Sequence, residues 1–217
     1  MKIGVFDSGI GGLSVAKAVE RALPDAEVLF VHDTPEHFPY ATKSPDVIYG
    51  FVLPIFQDLV DQKCDAIIVA CNTVSTTLIS RIREAFPDMP FVALEPMVKP
   101  AAERTKTGVV AVCATPTTLA SDRYRWLKET YAPQVKVLEP DCADWSALIE
   151  HNQMNGSRIR QEIEPVLARG ADVIVLGCTH YHWIEEEVKA IAAGRAVVLQ
   201  PETAVVGQLK RVLGQQS

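Results

Sequence analysis

The chain has 217 residues, 48% of them apolar, which is enough to bury one large core or two small ones. Its formal net charge of −6 and its lack of any Lys/Arg cluster exclude a phosphate backbone as the main partner, so no nucleic-acid role is expected. No run approaches the length of a membrane span, and the opening Met1–Asp7 carries no signal-peptide pattern; the expected setting is the cytoplasm, away from membranes.

Residues 2–6 read as a short apolar strand, followed by the turn Asp7-Ser8-Gly9-Ile10-Gly11-Gly12 and a helical pattern from Leu13 to about Leu23. Glycines at a helix start offer free backbone N–H groups, a seat for an anion such as a carboxylate. A nucleotide-phosphate loop is the competing reading, but the spacing fits neither the Walker pattern nor G-x-G-x-x-G, and Asp7 at the mouth would repel phosphate. Glu27–Val31 is a second strand. The loop from His32 to Ser44 holds two prolines and is expected to lack regular structure, with Tyr40 available as a pocket wall. Ser44-Pro45 starts a helix running to about Val60. Then come an apolar strand ending in Cys71, a helix near residues 74–85, and a strand at Phe91–Leu94.

The second half restarts with a strand at 107–113 that closes on Ala114-Thr115-Pro116-Thr117-Thr118, where a threonine is expected to cap the next helix. Strands follow at 135–138 and before Cys178, with a mixed segment at 142–150 and a helix at 157–169. A helix at 185–193, a strand at 196–199 and a helix from Glu202 to Leu213 complete the chain, the last expected to pack back on the first half. Strand and helix alternate throughout, which predicts an α/β fold of parallel sheets covered by helices.

The two cysteine strands repeat each other. Asp65-Ala-Ile-Ile-Val-Ala-Cys71 and Asp172-Val-Ile-Val-Leu-Gly-Cys178 share an acid six residues before the cysteine and an apolar stretch between, as in strands buried on both faces. Gly4 to Cys71 is 67 residues and Gly108 to Cys178 is 70, so the halves keep one register and point to a duplicated α/β unit. Ligands bind at the carboxyl ends of such strands, so two thiols at two such ends imply one site made from two halves. Cysteine after an apolar run is most often a buried core residue. Here Asn72-Thr73 and Thr179-His180 put polar groups beside both thiols, which points to chemistry instead.

Five cysteines (64, 71, 113, 142, 178) with no C-x-x-C pair argue against a disulfide framework and against a zinc site; no metal is expected. One catalytic thiol with His180 as its base would fit a cysteine hydrolase, but leaves Cys71 unexplained. Removing a proton from one face of a carbon and returning one to the other face calls for two acid/base groups of similar pKa, and free thiols titrate close enough to neutral. Asp7 and His180 are placed to tune them.

These residues resemble the glutamate racemases. The resemblance is carried by Asp7–Val15, Pro39-Tyr40 with Lys43-Ser44, Cys71–Ser75, Glu95-Pro96, Ala114-Thr115 with Thr118, and Gly177–Tyr181, in order over nearly the whole chain. It implies a cofactor-independent isomerase of two pseudosymmetric α/β domains with the active site in the cleft between them. The expected division is 1–95 plus about 200–217, and 96–199. The resemblance further implies that Cys71 and Cys178 each deprotonate one enantiomer, that Asp7 assists Cys71, and that His180 and Glu150 assist Cys178. Ser8, Pro39, Tyr40, Asn72, Thr73, Thr115, Thr118 and Thr179 would bind a small acidic amino acid. A homodimer and a supply of D-glutamate for peptidoglycan complete what the family implies.

Several positions depart from the family pattern: Ala41 and Thr117 stand where it usually has glycine, Ala143 where it has proline, and His182-Trp183 where it has Pro-Leu. They keep two alternatives open, a racemase for aspartate or another acidic amino acid and a non-catalytic amino-acid-binding relative. Retention of both cysteines and Asp7 speaks against the second, since binding alone needs no thiol. Pyridoxal chemistry would need a lysine, and the segments that carry the cysteines and the glycine turn have none.

Overall fold

The computed structural model describes residues 1–214; the expected final stretch extends past them to residue 217. The first half runs β1 (Lys2–Asp7), α1 (Leu13–Ala22), β2 (Glu27–His32), α2 (Pro45–Asp61), β3 (Ala66–Val69), α3 (Asn72–Ala85) and β4 (Phe91–Ala93). After α4 (Val98–Arg104) the second half runs β5 (Val109–Cys113), α5 (Pro116–Leu119), α6 (Asp122–Tyr131), β6 (Lys136–Leu138), α7 (Trp145–Glu150) and α8 (Gly156–Ala168). It ends with β7 (Val173–Leu176), α9 (Glu185–Ala192), β8 (Val197–Leu199) and α10 (Glu202–Val212). Short 3-10 turns at Ile10–Gly12, Tyr40–Thr42 and Thr179–Ile184 stand at strand edges or in loops.

Two four-stranded sheets result, ordered β2-β1-β3-β4 and β6-β5-β7-β8, with every pairing parallel. This is the α/β, two-sheet architecture that the repeat predicts. The central strands β3 and β7 are buried at every position, because helices cover both faces of each sheet. The halves match down to single bonds. Ala70 N–H donates to the Phe6 carbonyl at 2.7 Å, and Gly177 N–H to the Cys113 carbonyl at 2.7 Å. One residue later in each half stands a cysteine. The two repeated aspartates are anchors rather than chemistry: Asp65 accepts from the Lys2 N–H, and Asp172 from those of Lys106 and Thr107.

Local signals start the helices. The Ser44 hydroxyl accepts from the Val47 N–H with Pro45 in the first turn of α2, and Ser121 and Asn155 do the same for α6 and α8. Apolar residues at helical spacing then face a sheet: Ile48, Val52, Phe56 and Leu59 of α2 join Phe6, Ile67 and Val69 in one core. On the other face Val15 and Val19 of α1 meet Ile3, Val5 and Ile68, with Val205 and Leu209 of α10. The last helix therefore lies on the first half.

Four expectations need correction. The proline-bearing loop is not wholly irregular, because Tyr40–Thr42 closes a 3-10 turn; prolines block longer hydrogen-bonded ladders, not a single turn. Residues 98–104, for which the sequence predicts no element, form α4, which buries only Val98 and Ala101 and so shows little periodicity. The last six residues of the mixed segment at 142–150 form α7, and the helix expected from residue 74 begins at Asn72, directly after the thiol.

Candidate active site

The order β2-β1-β3 puts a switch point between the carboxyl ends of β1 and β3, and β6-β5-β7 puts another between β5 and β7. Asp7 ends β1, Cys71 follows β3 and Cys178 follows β7, so both thiols open onto one cavity between the halves. Its walls are Ser8, Phe38, Tyr40, Ala41, Cys71, Asn72, Thr73, Thr115, Ser146, Cys178, Thr179 and His180. The free volume between them is about 10 Å³, on the scale of one water, so this is a closed arrangement that an amino acid enters only when the rim opens.

Asp7 is fully buried. Its Oδ2 accepts from the Gly12 N–H at 2.7 Å and from the Thr179 hydroxyl of the other half at 3.1 Å, while Oδ1 is buried without a partner. Burial pushes its carboxyl above the ordinary 3.8, against the opposing influence of His180 and of these hydrogen bonds. The glycines beside it exist for close approach. A Cβ on Gly12 would lie 2.6 Å from the Cβ of Asp7, and one on Gly11 would lie 2.6 Å from the backbone nitrogen of His180. Two of the N–H groups that the sequence offers to an anion are taken by the chain's own carboxylates, Gly12 by Asp7 and Ile10 by Glu150 at 3.2 Å.

The two thiols have unlike neighbours. Cys71 stands before the first turn of α3 and donates to the Ser8 hydroxyl at 3.5 Å. Burial, with the Asp7 carboxylate second, pushes its thiol up to about 12, although Ser8 and the Val74 N–H favour the thiolate. The sulfur of Cys178 lies 3.9 Å from His180 Nδ1, and His180 Nε2 lies 2.6 Å from Glu150 Oε2. Burial works to lower the His180 pKa, but the hydrogen bonds to Cys178 and Glu150 and the charges around it raise it to about 10. Glu150 answers in the opposite sense: burial would raise it, and His180 carries it below the ordinary 4.5. Glu150 and His180 thus form a half-buried carboxylate–imidazolium pair at neutral pH.

Polar groups line the rest. The hydroxyls of Thr73, Thr115 and Thr118 form a triangle across the two halves, with separations of 3.0 to 3.4 Å. Thr115 also caps α5 by accepting from the Thr118 N–H, so it serves structure and site together. Both side-chain polar atoms of Asn72 are buried without a partner, which a ligand with a carboxylate and an ammonium would remedy. Tyr40 is walled in, and its hydroxyl donates to Asp33 instead of pointing a free donor into the cavity.

Of the residues expected at the site, Ser8, Tyr40, Cys71, Asn72, Thr73, Thr115, Cys178, Thr179 and His180 line the cavity. Asp7 stands behind Thr179, Glu150 behind His180, and Thr118 behind Thr73 and Thr115. Pro39 does not line it; its carbonyl accepts from the Lys43 ammonium at 3.2 Å, which shapes the turn that presents Tyr40. Ala41, expected at the pocket rim, also lines the cavity; sequence reasoning misses Phe38 and Ser146 as wall residues, and Asp33 as the acceptor shared by Tyr40, His37 and the Thr34 N–H. Asp33 stands one residue past the end of β2, whose last residue His32 pairs with Asp7, so the sequence marks it only as a loop acid.

Comparison with known proteins gives the same reading. The family model described as Asp/Glu/Hydantoin racemase matches residues 3–209. The glutamate racemase of Pseudomonas entomophila is 38% identical over 217 residues, covering 98% of this chain and 82% of that protein. The crystal structure of Escherichia coli glutamate racemase, in complex with L-glutamate and the activator UDP-MurNAc-Ala, superposes with a TM-score of 0.90 at 29% identity, covering 100% of this chain and 83% of that one. The Francisella tularensis glutamate racemase in complex with D-glutamate superposes with a TM-score of 0.81 at 29% identity, covering 99% and 81%. No helix among the described residues is long and apolar enough to cross a membrane. The chain belongs to the Asp/Glu/Hydantoin racemase family, with glutamate racemases among its near relatives, and is an amino-acid isomerase.

Proposed function

We propose that the chain interconverts L- and D-glutamate with Cys71 and Cys178 as its two acid/base groups, without a cofactor. The observation that carries this is the convergence of two thiols, from equivalent strand ends of two like halves, on one closed cavity walled by hydroxyls and an orphaned amide. A thiol pushed up to about 12 holds its proton at neutral pH, so Cys71 begins as the acid. The sulfur of Cys178 then takes the Cα proton from one face while Cys71 delivers its own to the other, and the roles exchange in the reverse direction. At pH 7 a thiolate on Cys71 costs about 7 kcal/mol, so that reverse direction draws on the substrate ammonium and on proton uptake by Asp7, whose raised carboxyl stands nearby. His180, pinned by Glu150, is the cationic partner of Cys178. The threonine triangle, Asn72, Thr179 and Ser8 hold the carboxylates and the ammonium.

In this reading the residues divide into a domain of 1–95 with about 200–217 and a domain of 96–199, and the protein is a cytoplasmic homodimer that supplies D-glutamate for peptidoglycan. The family resemblance supports those assignments. One observation favours a second substrate, aspartate: the Thr117 hydroxyl donates to the Ala41 carbonyl at 2.6 Å, closing the rim at two positions where the family pattern has glycine.

Proton NMR in D2O tests both. Incubated with L-glutamate or L-aspartate and no added cofactor, the protein is expected to wash out the Cα proton of glutamate and form the D-enantiomer. Exchange of aspartate alone moves the assignment to aspartate. No exchange with either, in folded protein with reduced thiols, ends the racemase reading of this site.

A further inference from the structure

One stretch of the first half, residues 33–41, reaches over the cavity that holds both thiols, and its base and its tip are held differently. The base is core. Tyr40 is buried in one cluster with Phe6, Phe56 and Val69, and its hydroxyl donates to the buried Asp33 carboxylate, so the two ends of the stretch are tied to each other. The tip is not core. Among the described residues, none of 34–39 belongs to either apolar cluster of the first half, and Thr34, Pro35 and Glu36 are exposed. Few buried apolar contacts mean a small free energy of local opening.

Polar and aromatic ties keep the tip down. The Thr34 N–H donates to Asp33 Oδ1 at 2.7 Å, and His37 Nδ1 lies 2.9 Å from both Asp33 carboxylate oxygens. The His37 ring also stacks on Phe51 of α2, with centroids 3.7 Å apart and planes 6° from parallel. The Phe38 N–H donates to the Pro35 carbonyl at 3.2 Å, which folds the tip back as one turn. Phe38 then stands across the cleft, its ring 5.2 Å from that of His180, and walls the cavity. The halves support each other crosswise: Thr179 of the second holds Asp7 on the Cys71 side, and Phe38 of the first covers His180 on the Cys178 side.

We infer that residues 34–39 are the lid of this cavity, hinged at Asp33 and Tyr40, with Phe38 sealing Cys178 and His180 from water and the His37–Asp33 contact as the latch. Something must move for an amino acid to enter a space of about 10 Å³. The other walls belong to strand ends, helices and 3-10 turns, so the tip leaves at the least cost. Closure serves the chemistry because water around a thiolate solvates it and weakens it as a base. Phe38 is thus a positioning residue, acting through His180, and His37 acts through Phe38. The inference rests on the proposed function only in taking Cys178 and His180 as a reacting pair.

Alkylation of the substrate-free protein by iodoacetamide, with each cysteine resolved by peptide mass spectrometry, reads the lid directly. It involves no amino-acid substrate, so a failed glutamate assignment leaves this test intact. Phe38→Ala is expected to raise the alkylation rate of Cys178 about tenfold or more, and Phe38→Tyr, which keeps a ring over His180, to hold it within about twofold of wild type. His37→Phe keeps the stack on Phe51 and loses the tie to Asp33; the same rate is expected to rise about fivefold, the worth of one hydrogen bond in the opening equilibrium. In Phe38→Ala, kcat on whichever acidic amino acid is turned over should fall about tenfold, because the site no longer seals. Unchanged Cys178 alkylation in Phe38→Ala, an equal rise in Phe38→Tyr, wild-type alkylation in His37→Phe, or an unchanged kcat would each overturn the inference.

Discussion

The two halves place a cysteine in the same slot and then surround it with opposite chemistry. Cys71 and Cys178 each follow a central parallel strand, one residue after the same 2.7 Å backbone bond. Yet Cys71 meets a hydroxyl and a buried carboxylate, and Cys178 an imidazolium backed by a carboxylate. In the proposed two-thiol transfer, the duplicated fold supplies the symmetry and the unlike neighbours decide which thiol starts with the proton. The difference lies in four side chains and in the turn that follows each thiol, an α-helix after Cys71 and a 3-10 segment after Cys178.

The sharpest way to break that comparison is to remove one thiol at a time. Cys71→Ser and Cys178→Ser are each expected to lower turnover by about 10²–10⁴-fold, the usual worth of one acid/base group. Each variant should retain Cα exchange in D2O from one enantiomer only, and the two should retain opposite ones. Equal residual exchange from both enantiomers in either variant would show that the thiols do not divide the faces between them.

Asp7→Asn tests the carboxylate side. The amide oxygen can still accept from Gly12 and Thr179, and the variant no longer buries a carboxylate whose Oδ1 has no partner. Stability should rise by about 1 kcal/mol, roughly 2–4 °C in Tm for a chain of this size. Racemisation should fall at least about tenfold, because the group that tunes Cys71 is gone. A fall in both would mean that Asp7 holds the fold as an ion.

The imidazolium side is read from pH. His180 titrates at about 10 in the folded protein against an ordinary 6.5, so its charged form contributes stability that is complete below pH 6.5 and is lost as pH rises towards 10. Cys71, raised from 9.0 to about 12, takes away stability only above pH 9, which leaves the window from about 7 to 9 to His180. Thermal melts across that window should show a falling Tm, and Glu150→Gln, which leaves Asp7 and Cys71 in place, should flatten it. An unchanged slope in that variant would remove Glu150 from the causes of the raised imidazole and leave it to Cys178.

How much of this was legible in the sequence follows the range of the signal. The cysteine strands, the glycine turn and the capped helices are local patterns of burial and backbone geometry, and they lie where the periodicity puts them. The pairing of Glu150 with His180 spans 30 positions and that of Asp7 with Thr179 spans 172; the residues themselves named Asp7 and His180 as tuners and the resemblance added Glu150, but neither gave the pairings, because spacing carries no trace of contacts made by folding. Asp33 was hidden for the same reason: it looks like a loop acid until β2 brings it under Tyr40. The glycine turn was read in the right place for a partly wrong reason, since it admits Asp7 and His180 at close range as much as it offers N–H groups.

The smallest test concerns the rim, where the halves touch through Thr117 and Ala41. Thr117→Val keeps the shape and removes one partly buried hydrogen bond, which is expected to cost about 1 kcal/mol, or about 2–4 °C in Tm. If that bond closes the cavity over both thiols, weakening it favours the open form that admits substrate, and kcat/KM should rise up to about fivefold at unchanged enantiomer balance. A shift in that balance would instead make Thr117 part of the asymmetry between the thiols. Since it stands 76 positions from its acceptor and touches neither sulfur, the closed rim predicts that both directions gain equally.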